Sequence, residues 1–364
     1  MDIKNNLTTS FLVTIILWLG ATHSASAEPY FAIQKGMHCS SCHSNPAGGG
    51  LRTTYGNAFA QSELAKRRIG DGAFWTGEVT QWLSVGGDFR ASYKDVDIPN
   101  RSTTSDFDVD RGAIYLEVSI IPGRLTLYVD EKVAPDEIEN REAYIRLKSM
   151  DAKWFVAAGQ FFLPYGLRLQ DDTSFVRLAT GINFANWDRG VQGGYVSGPW
   201  SIIASATNNS GGGRSSSGEQ VNLISSYVTA NWRVGASFNV NDDDAGDRTM
   251  FGFFGGLQTG PVAWLAEIDS IRDDVAPGVT ANAFAGLLEA NWTIFDRHNL
   301  KLSYDYLDPN NDISEDHQVR YSVVWEHSPI QFLQARAGYR LYDGIPQVDA
   351  QNRKELFIEI HGFF

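Results

Sequence analysis

The 364 residues are poor in the features that would place them at once. Only two are cysteine, Cys39 and Cys42, so neither is left over for a structural disulfide once that pair has a task. Beyond residue 21 no apolar run approaches the roughly 20 residues that a membrane-spanning helix needs. Cations are outnumbered: 30 Lys and Arg stand against 43 Asp and Glu, a net charge of -13. That balance excludes nucleic acid as a partner, because phosphate binding needs clustered Lys and Arg. No Ser-His-Asp arrangement stands out. Gly48-Gly49-Gly50 lacks the strand and the spacing of a nucleotide loop.

What is present points to strands. The chain holds 35 Gly, 10 Trp, 14 Tyr and 21 Phe. A glycine-rich, aromatic-rich, acidic chain without long helix patterns fits a transmembrane β-barrel, where alternation dilutes the apolar signal. The mean hydropathy of -0.23 is consistent with such dilution. A secreted β-sandwich or solenoid shares the composition. At the N-terminus, the apolar stretch from Phe11 to Ala21 is followed by Ala25-Ser26-Ala27. Its length and the small residues after it predict a signal peptide at 1–27 and a mature chain from Glu28.

Cys39-Ser40-Ser41-Cys42-His43 is the most specific stretch. C-x-x-C-H is the attachment pattern of a c-type haem. Cys39 and Cys42 can each form a thioether with one vinyl group, and His43 follows closely enough to ligate the iron. A redox dithiol would want a thioredoxin-like βαβ context, which is missing. A zinc site would need His38 with Cys39, Cys42 and His43 inside six residues, too tight for tetrahedral spacing. Haem c is attached outside the cytoplasm, in agreement with the signal peptide.

Residues 28–75 form the expected haem segment. Asn45 to Gly50 reads as a loop. Leu51 to Arg68 reads as one helix, with Leu51, Tyr55, Ala58, Phe59 and Ser62 on one face. From about Thr76 the period changes to two. Val319, Tyr321, Val323 and Trp325 alternate with Arg320, Ser322 and Glu326. Leu333, Ala335, Ala337, Tyr339 and Leu341 alternate with Gln334, Arg336 and Arg340. About sixteen such segments follow one another to Phe364, joined in turn by tight links and longer polar ones. Link 134–137 breaks the rule. The expected fold is an all-β transmembrane barrel of about 16 antiparallel strands (76–364) after a small, mainly helical monohaem domain. Both barrel ends then lie on the short-turn, periplasmic side. The mixed, aromatic loop 167–187 is a candidate constriction inside the lumen; the alternative is an exposed loop.

Pro29-x-Phe31-Ala32-x-Gln34, Gly36-x-x-Cys39-x-x-Cys42-His43 and Tyr55-Gly56-x-x-Phe59 resemble the start of the fused monohaem cytochrome–porins. That group includes the outer-membrane iron oxidases. The motifs cover about 30 residues, and the architecture resembles the group over the mature chain. The stretch Ser44 to Thr54 and the short overall length depart from the iron oxidases. The resemblance implies an outer-membrane protein that carries electrons through one covalent haem c. It implies oxidation of extracellular Fe(II), with electrons passed to a periplasmic cytochrome or other soluble carrier. Outward electron export and a solute porin with a haem plug are the alternatives. The haem segment is expected at the periplasmic mouth or within the lumen, and outer-membrane lipid is the expected surroundings.

Two residues are candidates for the sixth iron position. His361 points inward by strand parity near the periplasmic end. Met150 lies at a periplasmic turn on the face shared by Glu142 and Arg146. Met37 and His38 sit too close to the attachment cysteines to reach the opposite face easily. Acidic loop residues such as Asp273, Asp274, Asp308 and Asp312 suit hard cations; the plainer reading is a solvated loop surface.

Overall fold

A computed structural model describes residues 28–70, 72–182, 186–208, 218–243, 246–276, 278–295 and 297–364. The signal peptide expected at 1–27 lies outside the described residues. A three-residue strand, β1 (Glu78–Thr80), leads into the barrel. The barrel strands are β2 (Leu83–Asp97), β3 (Thr104–Ile121), β4 (Leu125–Ala134), β5 (Glu139–Lys148), β6 (Trp154–Phe162), β7 (Trp187–Ser197), β8 (Trp200–Thr207) and β9 (Gly218–Val228). They continue as β10 (Trp232–Asp243), β11 (Arg248–Thr259), β12 (Val262–Ala276), β13 (Val279–Phe295), β14 (His298–Asp308), β15 (Gln318–Ile330), β16 (Leu333–Asp343) and β17 (Lys354–Phe363). Each pairs antiparallel with its sequence neighbours. β17 pairs β2, from Lys354 opposite Asp97 to Phe363 opposite Asp88, and closes the barrel. Closure leaves no edge strand exposed.

The faces are inverted relative to a water-soluble protein. On β17, Leu356, Ile358 and Ile360 are exposed, while Glu355, Glu359 and His361 are buried. On β15, Tyr321 and Val323 face out, and Arg320, Ser322 and Glu326 face in. An apolar outer belt over a polar interior is the signature of a strand-built membrane span. Trp82, Trp154, Trp200, Trp232, Trp264 and Trp292 are exposed, and all lie near the short-turn end. Such a ring suits the lipid–water boundary, where an amphipathic indole is wet at one end and apolar at the other.

Short links such as 122–124, 198–199 and 260–261 lie at one end of the barrel. The longer ones, including 98–103, 309–317 and 344–353, lie at the other. Links 135–138 and 277–278 are short although they fall on the long-loop end. β2 starts and β17 finishes at the short-turn end, so the N-terminal segment enters there.

That segment is helical in short pieces. Helix α1 (Pro29–Lys35) has Pro29 in its first turn and ends at Gly36, whose φ of 62° caps it. One turn, α2 (Cys39–Cys42), follows. Helix α3 (Thr54–Phe59) starts at Thr53, whose Oγ1 accepts from the Gly56 amide at 3.1 Å. A π-turn over Ala60–Leu64 extends it. The single helix expected over Leu51–Arg68 is therefore too long at both ends. Beyond Leu64 the backbone turns extended and joins the wall: the Gln331 amide donates to the Arg67 carbonyl at 3.0 Å. Pairing with the barrel outweighs the local helix pattern.

Candidate functional site

The Cys39–His43 stretch sits inside the lumen at the short-turn end. Gly36 lies against the turn after β9: a Cβ there would be 2.7 Å from the Ala230 Cα. His38 Nε2 is 3.0 Å from the Gly198 carbonyl oxygen, at the next turn. Lys301 on β14 donates to Glu28 at 2.8 Å. Asn45 donates to Glu142 on β5 at 2.8 Å, and the Leu51 amide donates to the Tyr128 hydroxyl on β4 at 3.1 Å. Tyr30 and Ile33 are buried in a cluster with Phe254, Leu265 and Leu287 of the wall. A small segment that lacks a core of its own is held by the barrel's inner face.

The local fold follows from the motif. Cys39 and Cys42 are the first and last residues of one helical turn, so both thiols are on the same side. The chain leaves extended at His43, whose amide donates to the Cys39 carbonyl at 3.0 Å. It then doubles back: His43 pairs with Arg52, and the Thr53 amide donates to the Cys42 carbonyl at 3.0 Å. Gly48, Gly49 and Gly50 all have positive φ and close this hairpin. The three glycines form a tight turn beside the motif.

Cys39, Cys42 and His43 border a cleft of about 1280 Å³ open to solvent. Phe31, Tyr55, Phe59, Leu163 and Ile203 make much of its lining apolar. Cys39 and Cys42 form no disulfide with each other. Burial pushes the Cys42 thiol up to about 11, with Cys39 adding and Arg52 opposing. A reactive dithiol needs the opposite shift. His43 is 9% exposed, with the Gly49 and Gly50 backbone against its ring. Burial, then Arg52 and Arg168, lower its pKa to about 3. The ring is thus held neutral, the form that ligates a metal. Two neighbouring cysteines, a neutral imidazole and a largely apolar slot fit a covalent haem.

His361 is buried on β17 and faces the lumen as strand parity predicts. Its Nε2 is 2.7 Å from Asp88 Oδ2 and its Nδ1 is 3.1 Å from Gln334 Oε1, so both ring nitrogens have partners. Met150 is 88% exposed at the turn after β5, outside the cleft. Met37 and His38 do border the cleft. Among the described residues no group of three or more His, Cys, Asp or Glu side chains is arranged to hold a metal ion.

The described part of the link, 163–182, folds into the lumen as a constriction. Leu163, Leu167, Leu169 and Val176 are buried. The Leu167 amide donates to Glu267 at 2.8 Å, the Phe175 amide to Asp305 at 3.0 Å, and Arg320 donates to Thr173 at 2.7 Å. Asp171 lies 3.0 Å from Arg320 and 3.3 Å from Arg340. Burial pushes the Asp171 carboxyl up, but these two guanidinium groups outweigh it and hold it below the ordinary range. The inward arginines of the strands were visible only as the polar face of the alternation; nothing in the sequence showed that they gather around this loop.

The barrel and its luminal loop define a porin-type architecture. The anion-selective porin from Comamonas acidovorans has a TM-score of 0.64 at 9% identity, covering 78% of this chain and 99% of that one. A loop L8 deletion mutant of OmpT, an outer membrane protein of Vibrio cholerae, has a TM-score of 0.63 at 14% identity, with 78% and 99% covered. The outer membrane channel DcaP of Acinetobacter baumannii gives 0.56 at 12% identity, with 78% and 97% covered. These identities establish the fold. No family profile and no curated protein matches the chain in sequence.

Proposed function

We propose that the chain is an outer-membrane cytochrome–porin that carries electrons across the outer membrane through one covalent haem c. The observation behind this reading is the position of the C-x-x-C-H turn. It borders a largely apolar cleft inside a barrel whose outer face suits lipid. The haem, when bound, supplies a one-electron couple. The chain's part is to hold it. Cys39 and Cys42 anchor the porphyrin edge, and His43 offers its neutral imidazole to the iron. The Asn45–Glu142 and Glu28–Lys301 contacts fix the segment to the wall. Apolar side chains form much of the cleft's wall, and such a wall limits water at the couple and so tunes its potential. Extracellular Fe(II) is the proposed donor, and a periplasmic cytochrome or similar soluble carrier the proposed acceptor.

The test uses purified, haem-loaded protein in liposomes with a trapped electron acceptor. The haem potential is recorded and ferrous iron is added outside. The proposal predicts rapid haem reduction and electrons arriving inside. A potential far below the Fe(III)/Fe(II) couple, with no reduction by Fe(II), would contradict the inward direction and leave outward transfer. Open solute conductance without electron passage would leave a porin with a haem plug.

A further inference from the structure

A second space adjoins the candidate haem cleft. It is a chamber of about 530 Å³, and His43 borders both. Its lining is dominated by arginine: Arg52 from the N-terminal segment, Arg90 on β2, Arg111 on β3, Arg141 on β5 and Arg168 from the constriction loop. Only two carboxylates, Asp88 and Asp130, share the lining. Both are engaged. Arg141 binds Asp130 through hydrogen bonds of 2.7–2.9 Å, and Asp88 meets His361 at 2.7 Å and Arg90 at 3.4 Å. Asp172 of the loop reaches Arg111 at 3.5 Å. Five guanidinium groups against two lining carboxylates make the lining itself positive, with Asp172, Glu142 and Glu359 facing Arg111, Arg168 and Arg90 from outside it, inside a chain whose net charge is -13. A low-dielectric wall concentrates that field.

We infer that this chamber binds a small polyanion bearing carboxylate or phosphate oxygens, and that the reactant from outside reaches His43 in that form. The inference rests on the cytochrome–porin reading and narrows its substrate class: iron arrives as a negatively charged oxyanion complex, since the bare cation is repelled. The guanidinium fork matches the geometry of such oxygens and binds them in pairs. The porphyrin's own carboxylates are a rival occupant. Arg52 and Arg168 border both spaces and are within their reach. Arg90, Arg111 and Arg141 border the chamber alone. Each already meets a carboxylate, Asp88, Asp172 and Asp130 respectively, so a second anion would be held by their remaining N–H groups.

Citrate serves as the probe, with magnesium chloride at matched ionic strength as the control. Binding is followed by calorimetry on the full chain in detergent, both haem-loaded and as Cys39→Ala/Cys42→Ala, which cannot attach haem. The inference predicts saturable citrate binding to both forms and none from the control. Arg111→Gln weakens it about tenfold at unchanged haem content. Should Arg111→Gln fail to fold, Arg111→Lys keeps the charge without the fork and is expected to weaken binding severalfold. In the loaded protein, citrate also shifts the haem absorption, and Arg111→Gln moves that shift to higher citrate. Citrate binding to the haem-free chain alone would assign the arginines to the porphyrin and overturn the inference. Absence of saturable binding to either form would overturn it too. Failure of the haem reading looks different: the natural chain carries no haem, while citrate still binds.

Discussion

Gly56 carries the tightest steric constraint among the glycines of the N-terminal segment, 28–70. A Cβ there would lie 2.1 Å from the carbonyl oxygen of Cys42, because α3 crosses directly behind the C-x-x-C turn. Backbone on both sides leaves no flexible atom to give way. Gly56→Ala is expected to push α3 off the turn at a cost of about 1–3 kcal/mol. Haem per purified chain, read from its absorption, falls several-fold while the far-ultraviolet circular dichroism of the barrel is unchanged. A full haem load would show that the contact is dispensable. Gly56 belongs to the motif that the sequence displays, but the reason for glycine there is a neighbour only the fold supplies. The same holds for Gly50, where a Cβ would lie 2.2 Å from the Tyr128 hydroxyl oxygen. Strand parity did place His361 inward. It could not show that Asp88 and Gln334 occupy both of its ring nitrogens.

At the scale of elements, alternation marked the strands well, because each has one lipid-type face and one luminal face. The boundaries it missed are places where a second partner intervenes. The luminal loop was expected from residue 167, yet β6 stops at Phe162, where the chain dives across the lumen. Leu51–Arg68 read as one helix, yet Arg67 pairs with the wall at Ile330. The constriction loop depends on a buried pair that no pattern reveals: Arg177 on the loop hydrogen-bonds Glu267 on β12, and both side chains are nearly inaccessible. Arg177→Ala strands a buried carboxylate, an expected loss of about 3–5 kcal/mol in loop docking. The loop then opens to limited proteolysis, and single-channel conductance rises while the barrel survives. Unchanged protection and conductance would mean that the loop is held by its apolar contacts alone.

At the scale of the whole molecule, three spaces meet at one histidine. His43 borders the apolar cleft, the arginine chamber and a polar cavity of about 1120 Å³ toward the short-turn mouth, lined in part by Ser40, Thr76, Lys148 and Lys153. Arg52 borders all three as well. A redox centre at that junction would face one space toward the short-turn side and another beneath the constriction loop. The barrel supplies the insulated passage, and the N-terminal segment supplies the place where a cofactor would sit. The account therefore stands on covalent attachment at Cys39 and Cys42. The most direct measurement is the intact mass and absorption spectrum of the protein purified from a host that matures c-type cytochromes. The account predicts one haem per chain, retained under denaturation and lost in Cys39→Ala/Cys42→Ala. A natural chain with no added mass, and with both cysteines open to alkylation once unfolded, would contradict it.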